Sequence, residues 1–110
     1  MAEVIWTEPA LQDLDAIADY IAIDDPSAAS RFVQRVFEHV DPLATHPRSG
    51  SVPSELGSAR YRQIVEPPCR IFYRQEGEKV LVVHVMRAEQ LLRNSDLRRR
   101  DKREFGVHEL

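Results

Sequence analysis

Residues 60–87, RYRQIVEPPCRIFYRQEGEKVLVVHVMR, contain three short runs that are rich in β-branched and aromatic side chains. The runs are separated by Pro67-Pro68 and by Gly77, which are residue types that interrupt strands and favour turns. This pattern is typical of an antiparallel meander and predicts strands over residues 60–66, 70–75 and 79–86. The last run is apolar on both faces, as expected of a central strand that other elements cover.

Several arginines fall near the ends of these predicted strands, and we single out Arg60, Arg62, Arg70 and Arg87. A long side chain at a strand end can reach past the sheet while the backbone that carries it stays rigid, so we expect the functional surface here. Replacing Arg62 or Arg70 by alanine should then remove function and leave the fold intact. For exposed side chains, the free energy of unfolding should change by no more than about 0.5 kcal/mol.

The chain before residue 47 predicts a strand and two helices. Residues 3–6 are a short apolar run, and Thr7 can cap a helix that has Pro9 in its first turn. The apolar residues of this first helix recur at helical spacing; they are Leu11, Leu14, Ile17, Ala18 and Ile21. Asp25-Pro26 ends it and begins a second helix, which should end or kink near Asp41 because Pro42 follows. The two helices should form an antiparallel hairpin.

Acidic side chains also occur along the first helix, at Asp13, Asp15 and Asp19. They fall mostly outside its apolar stripe, and no opposing cationic face is evident, so we expect them to be a solvated surface. The long connection over residues 47–59 is rich in Gly, Pro and Ser and predicts a loop between helix and sheet.

The charge of the chain is unevenly distributed. The net charge of the 110 residues is −3, but residues 1–46 hold nine Asp or Glu and two Arg, giving −7. Residues 47–110 hold nine Asp or Glu and thirteen Lys or Arg, giving +4. Such asymmetry indicates that the second half meets an anionic partner, either a nucleic acid or an acidic protein segment.

The composition is that of a single globular domain, with 43% hydrophobic and 30% charged residues. The apolar runs are too short to span a bilayer, and the N-terminus lacks an export pattern, so we expect a cytoplasmic protein without membrane contact. Cys69 is the only cysteine, which excludes an intrachain disulfide and a cysteine-based metal site. The histidines lack metal-ligand spacing, and no cofactor motif is present, so we expect neither a metal nor a cofactor.

We expect residues 1–92 to form one domain. Residues 93–110 should follow it as a basic C-terminal helix or tail. Its composition favours a helix, but it offers few apolar side chains for burial. Its basic run comprises Arg98, Arg99, Arg100, Lys102 and Arg103. The run is either a solvated helix face with neighbouring ion pairs or a binding arm.

Strand, helical hairpin, long loop and meander follow one another here in an order that resembles the RelE/ParE superfamily of type II toxin–antitoxin toxins. The resemblance is carried by WTEPALQDLDAIADYIAIDDPSAASRFVQRV, LATHPRSG, ELGSARYRQIV and CRIFYRQEGEKVLVVHVMR. It implies an α+β fold in the order β-α-α-β-β-β, with the N-terminal strand and the helical hairpin packed on a small antiparallel sheet. It also implies a toxin that a small antitoxin with an acidic C-terminal segment neutralises in a hetero-oligomer.

The superfamily includes two modes of action, and the sequence favours one of them. ParE-like toxins poison DNA gyrase through protein contact, whereas RelE-type toxins cut mRNA on the ribosome. RelE-type members usually carry extra basic residues inside strand two and a Tyr or His after strand four. This chain has Gln63, Ile64 and Val65 in strand two and no Tyr after strand four. The resemblance therefore favours a ParE-like inhibitor; a RelE-type nuclease and a degenerate toxin that only binds its antitoxin remain the alternatives.

A nuclease would also need a base, an acid and cations around the reacting phosphate. Its candidate residues are Arg62, Arg70, His84 and Arg87. His84 lies within strand four, where we expect a core or edge histidine, and Tyr73 is expected to be a packing aromatic with its hydroxyl at the edge. The residues expected to bind the target or the antitoxin are Arg60, Arg62, Arg70, Tyr73, Arg87, Arg98, Arg99 and Arg100.

Overall fold

A four-stranded sheet with two helices on one face organises the molecule. The computed structural model describes residues 1–56, 60–90, 92 and 97. The elements in chain order are β1 (Glu3–Trp6), α1 (Glu8–Asp24), α2 (Pro26–Val40), a 3-10 helix (Asp41–Ala44), β2 (Arg62–Glu66), β3 (Cys69–Glu76) and β4 (Lys79–Arg87). The predicted α+β class and element order are confirmed, and the helix break at Pro42 is where the sequence placed it.

The sheet is mixed, which corrects the expectation of a wholly antiparallel one. Its strand order is β1-β4-β3-β2. The predicted meander of β2, β3 and β4 is antiparallel throughout. β1 instead pairs with β4 in parallel, from Glu3 opposite Lys79 to Trp6 opposite Val82. Parallel neighbours need a long crossover connection, which the helical hairpin and the rest of the meander provide. β4 is therefore a central strand, as its apolar sequence predicted.

Local capping signals fix both helix starts as the sequence predicted. The Thr7 hydroxyl accepts a hydrogen bond from the Ala10 N–H at 3.4 Å and donates one to the Val82 carbonyl at 2.8 Å. Thr7 therefore begins α1 and also ties it to β4. The Asp25 carboxylate accepts the Ala28 N–H at 3.1 Å, with Pro26 as the first residue of α2.

Asp13 is not the solvated carboxylate that its sequence position suggested. β1 ends at Trp6, so the edge of β4 beyond Val82 has no strand beside it. The Asp13 carboxylate takes that place by accepting the Val85 N–H at 3.1 Å, and its side chain is only 15% exposed. An unpaired N–H at this partly buried edge would cost free energy, which explains why a helix carboxylate is directed there. Asp15 and Asp19 are exposed, as expected.

Apolar side chains cover both faces of the sheet. The helix-facing core includes Leu14, Phe32, Val36, Val40, Ile71, Val80 and Val82. A second cluster on the other face comprises Tyr61, Phe72, Leu81, Val83, Met86, Leu92 and Leu97. Leu97 is fully buried, so the chain after β4 covers the second face at this residue. Arg98, Arg99 and Arg100 lie outside the described residues, and the domain boundary at residue 92 stays a prediction.

Gly50 holds the connection between helix and sheet tightly against β2 and β3. Its N–H donates to the Tyr73 hydroxyl at 2.9 Å, and the next residue, Ser51, forms a backbone bridge with Gln63. A Cβ atom at residue 50 would lie 2.6 Å from both the Gln63 carbonyl oxygen and the Tyr73 hydroxyl oxygen. Glycine is required here by this close approach of loop and sheet.

We therefore expect Gly50→Ala to lower the free energy of unfolding by about 1–3 kcal/mol, the usual cost of overpacking. The exposed neighbour provides the control, since Ser49→Ala should change the value by no more than about 0.5 kcal/mol. Urea unfolding of both variants measures the difference. Equal stabilities would show that the loop is not held in this way.

Candidate functional site

A cleft of about 230 Å³ lies at the start of β2, where the loop after the helices meets the end of β3. We call it the arginine cleft. Its lining residues are Pro47, Arg48, Arg60, Arg62, Tyr73, Arg74 and Gln75. Four of the seven are arginines, and none of these described lining residues is acidic, so the cleft is suited to binding an anion.

Arg62 and Tyr73 form the fixed wall of the arginine cleft. They lie opposite each other in the β2–β3 pair. Arg62 Nη1 donates to the Gly50 carbonyl at 2.8 Å and to the Arg48 carbonyl at 3.3 Å, while the Tyr73 hydroxyl accepts the Gly50 N–H. Tyr73 is almost completely buried, and burial raises the pKa of its phenol above the ordinary value of 10.0. Both side chains therefore hold the loop in place as well as lining the cleft.

The other three arginines differ in exposure. Arg74 is buried on the strand and pairs with Glu76 through an Nη1–Oε2 distance of 3.0 Å. Arg60 is exposed, with its Cζ atom 5.5 Å from the centre of the Tyr61 ring, and Arg48 is also exposed. Sequence reasoning missed Arg48 and Arg74. The hairpin at residues 67–68 places Tyr73 opposite Arg62, and Arg74 is the next residue of β3, so its adjacency to Tyr73 was a signal that could have found it.

Arg70 is buried at the other end of β3, which corrects the expectation of an exposed side chain. Only 8% of the residue is exposed. Its guanidinium donates twice to Glu55, through Nη1 and Nη2 at 2.8 Å each, and through Nε to Gln63 at 2.8 Å. Nη1 also donates to the Gln90 carbonyl at 3.2 Å, and Cζ lies 5.0 Å from the Phe72 ring centre. The residue shares the second sheet face with Phe72, where a charge must be paired to be buried.

Glu55 is the acidic partner of Arg70 in this ion pair, and it lies in the long loop between helix and sheet. Its carboxylate also accepts the Leu92 N–H at 3.2 Å, so the pair joins the loop, β3 and the segment after β4. The hydrogen bonds from Arg70 lower the pKa of Glu55 from 4.5 to about 2. Arg70→Ala, which the sequence predicted to leave the fold intact, would remove the centre of this network.

Arg87 and His84 also lie away from the arginine cleft. Arg87 ends β4, pairs with Glu89 through an Nε–Oε1 distance of 3.0 Å, and places Cζ 5.4 Å from the Tyr20 ring centre. The His84 side chain is 12% exposed, and its Nδ1 lies 3.1 Å from Asp13 Oδ2. That contact is within ion-pair distance but lacks the geometry of a hydrogen bond. Of the four residues proposed for a nuclease, Arg62 lines the arginine cleft, whereas Arg70 and His84 both contact the Phe72 ring, at 5.0 Å from Cζ and 5.8 Å between ring centres.

The described residues offer little for metal or thiol chemistry. Within them, no group of three or more His, Cys, Asp or Glu side chains is arranged to hold a metal ion. Cys69 is fully buried, and burial raises the pKa of its thiol from 9.0 to about 11. The thiol stays protonated near neutral pH, so Cys69 is a core residue.

Comparisons with known proteins agree on a toxin family. Residues 4–92 match the family described as the ParE toxin of the type II toxin–antitoxin system parDE. Y4kP of Sinorhizobium fredii, whose name marks it as a candidate toxin, is 42% identical over 85 residues, covering 77% of this chain and 86% of the relative. Toxin RelE2 of Caulobacter vibrioides is 39% identical over 92 residues, covering 83% of this chain and 100% of the relative.

A solved structure gives the same result at the level of the fold. A chain from the chromosomal ParDE toxin–antitoxin system of P. aeruginosa superposes with a TM-score of 0.67 and 30% identity, covering 81% of this chain and 98% of that one. In the part of the chain that the structure describes, no helix is long and apolar enough to cross a membrane.

The Arg70–Glu55 pair generates a stability prediction. Arg70→Ala should lower the free energy of unfolding by about 3 kcal/mol, because it removes the cation that pairs with the Glu55 carboxylate and the donor that bonds the Gln90 carbonyl. Arg87→Ala is the matched control at the same end of the sheet; its side chain is 38% exposed, so the loss should stay within about 1 kcal/mol. Urea unfolding compares the two. Equal losses would contradict a structural role for Arg70.

The same pair should make stability depend on pH. The pKa of Glu55 is about 2 in the folded chain and near 4.5 when unfolded, so its contribution is complete above pH 4.5 and is lost as the pH falls towards 2. The difference in unfolding free energy between the parent and Glu55→Gln should therefore be largest above pH 4.5 and shrink below it. Urea unfolding from pH 2 to pH 7 tests this; a difference that stays constant would rule out the ionised pair as its source.

Proposed function

The chain belongs to the ParE toxin family of type II toxin–antitoxin systems, and we propose that it inhibits growth by poisoning DNA gyrase through protein contact. The observation that carries the choice of mechanism is the arginine cleft. Its described lining supplies four cations and no side chain suited to proton transfer. Such a surface can anchor a partner, and an inhibitor needs only a rigid surface with a few strong anchoring contacts.

The described lining residues of the cleft include no side chain that is suited to proton transfer. Arginine does not deprotonate in proteins, and Pro47 and Gln75 have no titrating group. The Tyr73 phenol is buried, has a raised pKa and already accepts a hydrogen bond from Gly50. His84 is not among the lining residues and lies beside Asp13. RNA cleavage depends on a positioned base and acid, which commonly contribute about 10² to 10⁴ in rate.

The proposed partner that neutralises the toxin is a small antitoxin with an acidic C-terminal segment. The net charge of +4 in residues 47–110 supports an acidic partner. α1 adds an apolar surface, since Tyr20 is 64% and Ile23 78% exposed, and Tyr20 lines a groove together with Ala16, Ile17, Arg87 and Glu89. Apolar anchors next to cations fit an amphipathic acidic segment. We propose that the two proteins form a hetero-oligomer; the similar P. aeruginosa chain also comes from a toxin–antitoxin system.

A ribosome-dependent mRNA endonuclease is the second candidate. Arginines that can hold a carboxylate can equally hold an RNA phosphate, and one relative bears the name Toxin RelE2. The candidate residues of this mechanism would be Arg62, Arg70, His84 and Arg87, with Arg98, Arg99 and Arg100 as further binding residues in either mechanism. The third candidate function is that of a degenerate toxin that only binds its antitoxin.

Purified toxin should inhibit supercoiling by gyrase and leave translated mRNA uncut. Arg60→Ala should weaken the inhibition about tenfold, corresponding to the loss of one charge-assisted contact of about 1.4 kcal/mol. Arg60 is preferred to Arg62 because Arg62 also holds the loop through two carbonyls. Arg31→Ala, an exposed arginine on α2, is the matched control and should inhibit like the parent. Supercoiling assays and analysis of mRNA from a translating extract measure both activities.

Two outcomes would contradict the proposal that the toxin poisons gyrase. Codon-specific cleavage of translated mRNA that is abolished by Arg87→Ala or His84→Ala, with supercoiling unaffected, would establish the nuclease. A toxin that binds its antitoxin and affects neither process would establish the degenerate form.

A further inference from the structure

We propose that the arginine cleft binds a dianionic phosphoryl group, such as free phosphate or the terminal phosphate of a nucleotide or nucleic acid. The inference concerns the chemistry of the ligand and does not depend on which macromolecule the toxin inhibits. It rests on the number of arginines, on the size of the cleft and on what surrounds it.

The number of guanidinium groups distinguishes phosphate from carboxylate. Elsewhere in this chain, the carboxylate of Glu55 is held by one arginine, whose two parallel hydrogen bonds of 2.8 Å occupy both oxygens. A single carboxylate thus needs one guanidinium. The cleft gathers four around one space; the Arg74 guanidinium is already paired with the Glu76 carboxylate, so binding of the ligand falls to Arg48, Arg60 and Arg62. A terminal phosphate carries nearly two negative charges and three strong acceptor oxygens, so it can accept hydrogen bonds from several guanidinium groups at once.

The arginines of the cleft form two pairs that differ in exposure. Arg62 is fixed by the loop carbonyls of Gly50 and Arg48, and Arg74 is buried beside Glu76. Arg48 and Arg60 are exposed and line the same cleft. Arg62 therefore supplies a preformed cation, and the two exposed arginines complete the binding of the ligand.

The cleft's size and surroundings limit what can be attached to the phosphate. Its volume of about 230 Å³ is below the ~300–1,000 Å³ that is typical of pockets for drug-sized ligands. The rings of Tyr61 and Tyr73 are buried, so neither offers an open face on which a base can stack. The net charge of −3, with −7 in residues 1–46, also opposes the wrapping of a long polyanion around the molecule. These features favour a phosphate end over the interior of a nucleic-acid strand.

Titration calorimetry at low ionic strength tests the inference, with inorganic phosphate and pyrophosphate as probes and acetate as the carboxylate control. We expect one saturable site for phosphate, weaker binding as salt is added, and no saturable binding of acetate. Arg48→Ala and Arg60→Ala should each weaken phosphate binding about tenfold. Arg31→Ala should bind like the parent. Unfolding curves of both cleft variants should match the parent, because these two side chains are exposed.

The source of the phosphate is distinguished by further titrations of the same protein. Tighter binding of a 5′-phosphorylated oligonucleotide than of its 5′-hydroxyl counterpart would assign a nucleic-acid end. Tighter binding of free phosphate than of either oligonucleotide would assign the free ion. The inference is overturned if phosphate shows no saturable binding, if binding survives the cleft substitutions, or if a glutamate-rich peptide binds through the cleft where phosphate does not. Gyrase inhibition is not a readout here, so failure of one proposal leaves the other standing.

Discussion

The pairing of β4 determines most of this structure. β4 is bonded to β3 along its length but to β1 only from Lys79 to Val82, so half of one edge lacks a partner strand. Backbone groups that are removed from water must find another partner. Thr7 provides one through its backbone N–H and hydroxyl, which both donate to the Val82 carbonyl, and Asp13 provides the next by accepting the Val85 N–H. The start and position of α1 therefore follow from where β1 ends.

Because both faces of the sheet are buried, a charged side chain on either face must be paired. The second face carries Phe72 and Val83 together with Arg70, and an arginine there is tolerated only with a fully bonded counterion. Glu55 meets this need from the long loop, and its remaining hydrogen bond holds the backbone of Leu92. One ion pair thus fixes the loop on one side and the chain after β4 on the other. Gly50 fixes the opposite end of the same loop, where the arginine cleft begins.

The elements that could be predicted from sequence are those specified by neighbouring residues. Thr7, Asp25-Pro26 and Pro42 act within one helical turn, so local reading located both caps and the break. The position of Arg62 near the start of β2 was also predicted, because strand ends are marked by nearby residues. The parallel pairing of β1, the role of Asp13 and the burial of Arg70 depend on partners far along the chain: Asp13 and Val85 are 72 residues apart. No periodicity in one segment contains that information, and Arg48 was missed for the same reason, because only the folded loop brings it to the sheet.

The arginine cleft also shows how a chain with a net negative charge can carry a basic surface. Net charge governs solubility and long-range repulsion, whereas an anion within the cleft responds to the nearest guanidinium groups, since charges beyond about 10 Å are largely screened at ordinary salt. The carboxylates of α1 and α2 belong to the helical layer, and the lining of the cleft contains none of them. Within the described residues, Arg62 is held by carbonyls and not by a carboxylate, so its charge is not neutralised by the bonds that orient it. The loop positions this cation without cancelling its charge, as an anion-binding surface requires.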